Sequence, residues 1–375
     1  MTGKSGSASP SGPGGRSPPA GTSSPPGEST DARITAADFA APLEAADNIE
    51  GDDEVDSTYG DTQTVELTKL GYSSSSTASV ASSILEYRTI HGRTYHNEKH
   101  YNTQYFTPND ERQSESLDIV HHYLTLLLGG KLHLAPIKED VQKVLDVGTG
   151  DDTHPNVEVI GTDLSPMQPS WVPTNVKFEI DDASQPWTWP DNTFDFIHIR
   201  FLNGAIKDWP ALFSEAYRCC KPGGYIESGE FDPRYYCDDG TAANEPVIQQ
   251  WNSVFEEGGK KLGLSFTVIE DNIQETGIRG AGFEDVEAFA YKAPVGAWAA
   301  DKRLAEVGRF TQLTLENDME GYTLFLCTNV LGWSIEAYQL FLMGMRKVLR
   351  NTKKIHIYCK YKYVYGRKPT DPAVA

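Results

Sequence analysis

The chain has 375 residues and a formal net charge of −20. A balance this acidic lacks the basic face that a general nucleic-acid binder presents, so direct nucleic-acid binding is not expected. No apolar run approaches the roughly 20 residues needed to span a bilayer, and the N-terminus carries no apolar leader core. The expectation is an intracellular protein of the cytoplasm or nucleus with no membrane contact. The five cysteines, Cys219, Cys220, Cys237, Cys327 and Cys359, are odd in number and form no Cys-x-x-Cys pair. Neither a disulfide framework nor a metal site is expected from them.

Residues 1–30 hold 21 Ser, Pro or Gly and no Leu, Ile, Val, Phe, Tyr or Trp. Residues 31–61 carry ten acidic residues against one basic residue, Arg33. Such segments bury too little to offset backbone ordering. Residues 1–80 therefore read as a disordered tail, 81–368 as one domain, and 369–375 as a short C-terminal tail. Residues 86–110 are polar and aromatic with no clear period. Leu117, Val120, Leu124 and Leu127 then recur at helical spacing, predicting a helix from Asp110 to Gly129-Gly130. From Lys143 short apolar runs alternate with turns, predicting strands over 143–147, 157–162, 176–180, 194–199 and 225–228. A helix over 209–220 separates the last two. Helices near 244–263, 299–319 and 335–350, and strands over 285–291 and 354–365, complete the pattern. Strands alternating with helices predict a parallel, doubly wound α/β sheet.

The chemistry concentrates at strand ends. Val144-Leu145-Asp146-Val147-Gly148-Thr149-Gly150 runs an apolar strand into a Gly-x-Gly turn, which lets backbone approach a ligand closely. Many plain turns share that pattern. The next two strands narrow it. Val159-Ile160-Gly161-Thr162-Asp163 ends a second strand in an acid, placed to accept from ribose hydroxyls. Phe178-Glu179-Ile180-Asp181-Asp182-Ala183 ends a third in acids able to accept from an adenine amino group. His198 and Arg200 lie near the end of the fourth strand, where open α/β sheets place ligands. They are candidate acceptor-pocket residues, set against plain packing for His198 and a carboxylate partner for Arg200. Trp187, Trp189 and Trp209 are either pocket walls or core.

The run VIGTDLSPMQPSWVPTNVKFEIDDASQPWTWPDNTFDFIHIR resembles the fungal LaeA-like methyltransferases. So do NEKHYNTQYFTPNDERQSESLDIVHHYLTLLLGGKLHLAP upstream and KPGGYIESGEF, LGWSIE and YVYGRKP downstream. The resemblance spans residues 86–368. It implies an α/β, Rossmann-like class I methyltransferase fold: a seven-stranded sheet with its last strand antiparallel, and S-adenosylmethionine (SAM) as cofactor. By position it assigns Asp146, Gly148 and Gly150 to the SAM loop, Asp163 to the ribose, and Asp182 with Ala183 to the adenine side. It names no catalytic residue. It implies either a regulator with protein partners or an enzyme acting on a small metabolite, in the setting of fungal secondary metabolism. The methyl acceptor, small molecule or protein, is not specified.

One departure from the family pattern carries weight. The family follows the first strand with a longer glycine loop and a helix. Here only Asp151-Asp152-Thr153-His154-Pro155-Asn156 separates Gly150 from Val157, whereas a helical parallel crossover takes about a dozen residues. The first crossover helix is therefore expected to be absent, leaving apolar sheet surface exposed on one face. Helix N-terminal N–H groups would be lost from the cofactor's carboxylate, and two acids would stand in their place. A clipped sequence, a non-binding relative and a rebuilt loop all fit, and weak or absent SAM binding is expected. A dehydrogenase reading, from the Tyr217/Lys221 spacing, lacks the glycines of a dinucleotide loop. A non-catalytic methyltransferase-like scaffold is the stronger alternative.

Overall fold

The computed structural model describes residues 41–46, 86–97, 105–148, 157–166 and 173–370. These residues fall in one unit, Ile34–Ala375. The expected boundary near residue 80 lies outside the described residues, as does the expected tail 369–375 except for Pro369 and Thr370. Residues 41–46, expected within the acidic tail, are instead held on the fold. Ala45 bridges Ala299, Leu43 N donates to Asp238 Oδ2, and Leu43 and Ala45 pack beside Trp298 and Tyr358.

The first described elements form a hairpin, β1 (Arg88–Ile90) and β2 (Arg93–Tyr95). Its two turn residues, His91 and Gly92, both have positive φ, the geometry that suits a two-residue hairpin. Helix α1 (Glu111–Leu127) follows, capped where Asp110 accepts from Gln113 N. Arg93 binds Asp110 on one side and both oxygens of Asp318 on the other, at 2.7 Å each. Asp318 is fully buried at the kink of a long helix, α5 (Lys302–Phe325). That ion pair ties the hairpin, the start of α1 and the bend of α5 together.

The sheet follows the expected doubly wound plan. Strands β3 (Lys143–Val147), β4 (Glu158–Asp163), β5 (Val176–Ile180), β6 (Phe194–Arg200), β7 (Cys220–Tyr236), β8 (Glu284–Pro294) and β9 (Tyr358–Arg367) lie in the order β5-β4-β3-β6-β7-β9-β8. Strands β3 to β7 run parallel to one another, and β9 runs antiparallel between β7 and β8. Strand order turns back at β3, so the crevice beyond the carboxyl ends of β3, β4 and β6 is where this architecture binds ligands.

Alternation along the strands sorts the side chains onto two faces. Leu145, Ile197, Ile226 and Val364 face α2 (Trp209–Cys219) and α4 (Ile273–Ala281). The opposite face carries Tyr361 and Tyr363 under α1, α3 (Pro246–Leu262), α5 and α6 (Ile335–Leu349). On that same face, at the β3–β4 end, lie Val144, Val159 and Phe196.

The connection from β3 to β4 runs over 148–157, and residues 149–156 are outside the described residues, as is Gly150. The expectation that its brevity would bare the sheet is corrected. Val144, Val159 and Phe196 are at most 2% exposed. The chain leading into β3 covers them, with Ala135 and Val141 in the same cluster and Leu134 and Ile137 packed against it.

Candidate functional site

Gly148, the first residue past β3, has φ +86°, and a Cβ there would come within 2.6 Å of the Arg200 carbonyl oxygen. Its N–H donates to Thr162 O. Only glycine satisfies both the left-handed backbone and that approach. The loop after β6 therefore seats directly against the turn that should receive a cofactor.

Asp146, two residues before Gly148 in the motif, faces the sheet. Its Oδ1 lies 3.0 Å from His198 Nδ1. On the far side His198 Nε2 is 3.7 Å from Glu227 Oε1. The three residues share one row, since Asp146 pairs with His198 and His198 with Glu227 across β3, β6 and β7. Glu227 is fully buried, and its Oε2 accepts from Leu134 N and Ala135 N at 2.7 and 2.6 Å. Burial works against a charged His198, yet the Asp146 hydrogen bond and the flanking acids raise its pKa. Burial raises that of Glu227. The row pins the covering chain at 134–135 to the sheet.

Asp163 ends β4, and its Oδ1 accepts from Ser165 N at 2.9 Å. Burial pushes its carboxyl up to about 6. Beside it the chain leaves β5, where Asp181 N donates to Asp163 O. Asp182 is 3% exposed, and its Oδ1 accepts from Ser184 N and Ser184 Oγ. The Ala183 carbonyl accepts from Trp187 Nε1. Gly148, Asp163 and Asp182 thus gather at the carboxyl edge of three adjacent strands.

Arg200 is half-buried over the Phe201 ring, 5.4 Å from its centroid. Phe201 itself takes φ +59°, a strained setting for a bulky residue. The following residues are clamped by Glu230 of β7, whose two oxygens accept from Leu202 N and Asn203 N at 3.0 Å each. Glu230 is fully buried, and burial pushes its carboxyl up to about 8 despite the two donors.

Behind this loop opens a cleft, part of it open to solvent. Phe201, Asn203 and Phe231 form one wall, and Tyr123, Trp251 and Tyr361 line it further in. Phe201 meets Phe231 edge-on at 5.2 Å, and Phe231 stacks on Tyr361 at 6.0 Å. Tyr105 also lines the cleft, and its hydroxyl feels the charges of Asp163 and Glu230. The cleft and the strand-end acids are therefore neighbours.

His198 and Arg200 do not line this cleft, and Trp187, Trp189 and Trp209 belong to the core under α2. The cleft residues were not singled out from sequence. Two signals point to the loop that walls it: Glu230, an acid inside an apolar run in GGYIESGEF that clamps the loop, and Asn203, three residues beyond a strand of the ligand-bearing edge.

A family model described as a methyltransferase domain matches residues 119–288. The methyltransferase pytC of Aspergillus terreus is 34% identical over 305 residues, covering 79% of this chain and 92% of that one. The secondary metabolism regulator LAE1 of Cochliobolus heterostrophus is 30% identical over 292 residues, covering 74% and 94%. The chain belongs to the LaeA-like methyltransferases. This is a class I, SAM-dependent methyltransferase family, and the sheet order described above is the one its fold requires. Among solved structures, phosphoethanolamine N-methyltransferase 2 of Haemonchus contortus, in complex with SAM, is 19% identical with a TM-score of 0.36. It covers 68% of this chain and 53% of that one.

The described residues that fit the nucleoside half of SAM are the acids: Asp163 and Asp182 supply acceptors at adjacent strand ends, beside a turn that Gly148 lets pack against the Arg200 carbonyl. The turn that would meet the methionine half falls on 149–156. No helix among the described residues is long and apolar enough to cross a membrane.

Proposed function

We propose that this methyltransferase transfers a methyl group to a small molecule seated in the aromatic cleft, and that its cofactor is held chiefly through the nucleoside half. The observation that carries the reading is the shared wall. The loop 200–203 packs against Gly148 on one side and lines the cleft on the other. SAM supplies an electrophilic methyl on a sulfonium, and the displacement is in line, so the protein acts by alignment and exclusion of water. Glu230 fixes the loop, Asp163 takes the ribose hydroxyls, and Asp182 with Ala183 flanks the adenine. Asp146 and His198 act from beneath, holding the strand ends in register. The relatives named as a methyltransferase and as a secondary metabolism regulator support a setting in fungal secondary metabolism, with protein partners where the role is regulatory.

A second reading, a methyltransferase-like regulator without catalysis, is favoured by the ten residues joining β3 to β4. Cofactor titration separates the two. Ribose hydroxyls donate to the carboxylate form of Asp163, whose carboxyl rests at about 6. Cofactor binding then releases a proton below that pH, and affinity weakens as pH falls. SAM is expected to bind about fourfold more weakly at pH 5.5 than at pH 7.5 by linkage. Asp163→Asn should bind more weakly throughout and lose that dependence. Calorimetry showing no SAM binding by the wild-type chain would leave the regulator reading standing.

A further inference from the structure

One residue that lines the cleft, Asn203, carries an acceptor atom with nothing to accept. Asn203 is 3% exposed, and its amide is oriented by Nδ2, which donates to Phe231 O at 2.8 Å. Its backbone N–H is held by Glu230 Oε2. The remaining atom, Oδ1, is buried and has no hydrogen-bond partner. A buried amide oxygen left unpaired is costly, so a native structure that keeps one is provided with a partner from elsewhere. Gln113, another lining residue, is 3% exposed and its Oε1 is also unpartnered, but that oxygen lies against Gly321 of α5.

The charge around the cleft limits what can enter. Among the described residues no Lys, Arg or His lines the cleft. The Asp232 carboxylate, on its wall, is held by Arg234 and by the Tyr236 hydroxyl. An anionic ligand would find no counter-charge and an unpartnered amide oxygen. A neutral, flat, apolar ligand would stack on Phe231 and Tyr361 and give an O–H or N–H to Asn203.

We infer that Asn203 is the specificity-determining anchor of the cleft, selecting a neutral planar aromatic molecule that carries a hydroxyl or N–H donor. This deepens the methyl-transfer reading and rests on it for that molecule's role as methyl acceptor. The loop holding Asn203 is the one against Gly148, so the donor group it selects lies at the cofactor side of the cleft.

Isothermal titration with three naphthalene probes tests the inference. Wild-type protein is expected to bind 2-naphthol about tenfold more tightly than 2-methoxynaphthalene, which has the same rings but no donor. 2-Naphthoate should bind more weakly than 2-naphthol. Asn203→Leu should bind 2-naphthol and 2-methoxynaphthalene alike, and Asn203→Asp, which keeps an acceptor oxygen, should restore the preference. Thermal melts of both variants verify folding. Equal binding of the two neutral probes by wild type, a preference that survives in Asn203→Leu, tightest binding of 2-naphthoate, or no binding by any probe would overturn it. A preserved preference in a wild-type chain that takes up no SAM would defeat the methyl-transfer reading and leave this one intact.

Discussion

Gly148→Val is expected to weaken SAM binding at least tenfold and to lower stability by about 3 kcal/mol. The backbone at Gly148 sits at φ +86°, where a β-branched residue is strained. Its new Cβ would lie 2.6 Å from the Arg200 carbonyl oxygen, and backbone cannot swing aside as a flexible side chain can. Relief requires the end of β6 to move, which displaces Phe201 and Asn203 with it. Cofactor and cleft binding should therefore fall together. Calorimetry with SAM and with 2-naphthol, beside a thermal melt, checks this. Unchanged affinities and an unchanged melting point would show that the two sites do not share a wall.

The second large effect belongs to Glu230. Glu230→Ala strips the partners from Leu202 N and Asn203 N and leaves space in the core, at an expected cost of about 3 kcal/mol. Its ionisation carries a separate signature. The folded carboxyl lies at about 8, above its ordinary range, because burial disfavours the charge. The folded state then holds a proton that the unfolded chain has already released. The contribution of this group is fully present below about pH 4.5 and is lost as pH rises to about 8. Glu230→Gln has nothing to ionise, so its melting temperature should gain on wild type across that window. A difference independent of pH would contradict the buried-acid assignment.

Much of the sheet was legible because its strands announce themselves locally. The spans 143–147 and 176–180 are apolar runs closed by turns, and both match observed strands. β7 was harder: 225–228 was expected, while the strand runs Cys220–Tyr236. Glu227, Ser228, Glu230 and Asp232 interrupt its apolar pattern, yet all are buried. Two of these acids take donors from Leu134, Ala135, Leu202 and Asn203, contacts that no local window contains. α4 escaped because Gly277 and Gly280 weaken its helical signal. Gly277 is there because a Cβ would strike the Phe213 ring. The β1–β2 hairpin escaped because it buries one side against α1 and α5 rather than against itself.

The strand-end acids of the site were legible for a positional reason: in this architecture the carboxyl ends of strands are the ligand edge. The cleft was not, since α1, α3, α5, β7, β9 and the loop after β6 each contribute a few residues. Tryptophans drew attention by size, but Trp187, Trp189 and Trp209 fill the core beneath α2. The exposed face expected from the short crossover is covered by residues that precede the strand, which the spacing after it could not show.

The most direct measurement is a pair of calorimetric titrations, with S-adenosylhomocysteine and with 5′-methylthioadenosine, which shares the nucleoside but lacks the amino-acid end. A cofactor held chiefly through Asp163 and Asp182 should give two affinities within about tenfold, a gap of about 1.4 kcal/mol. Tighter binding of S-adenosylhomocysteine by more than that, or binding of neither ligand, would contradict a cofactor held by its nucleoside.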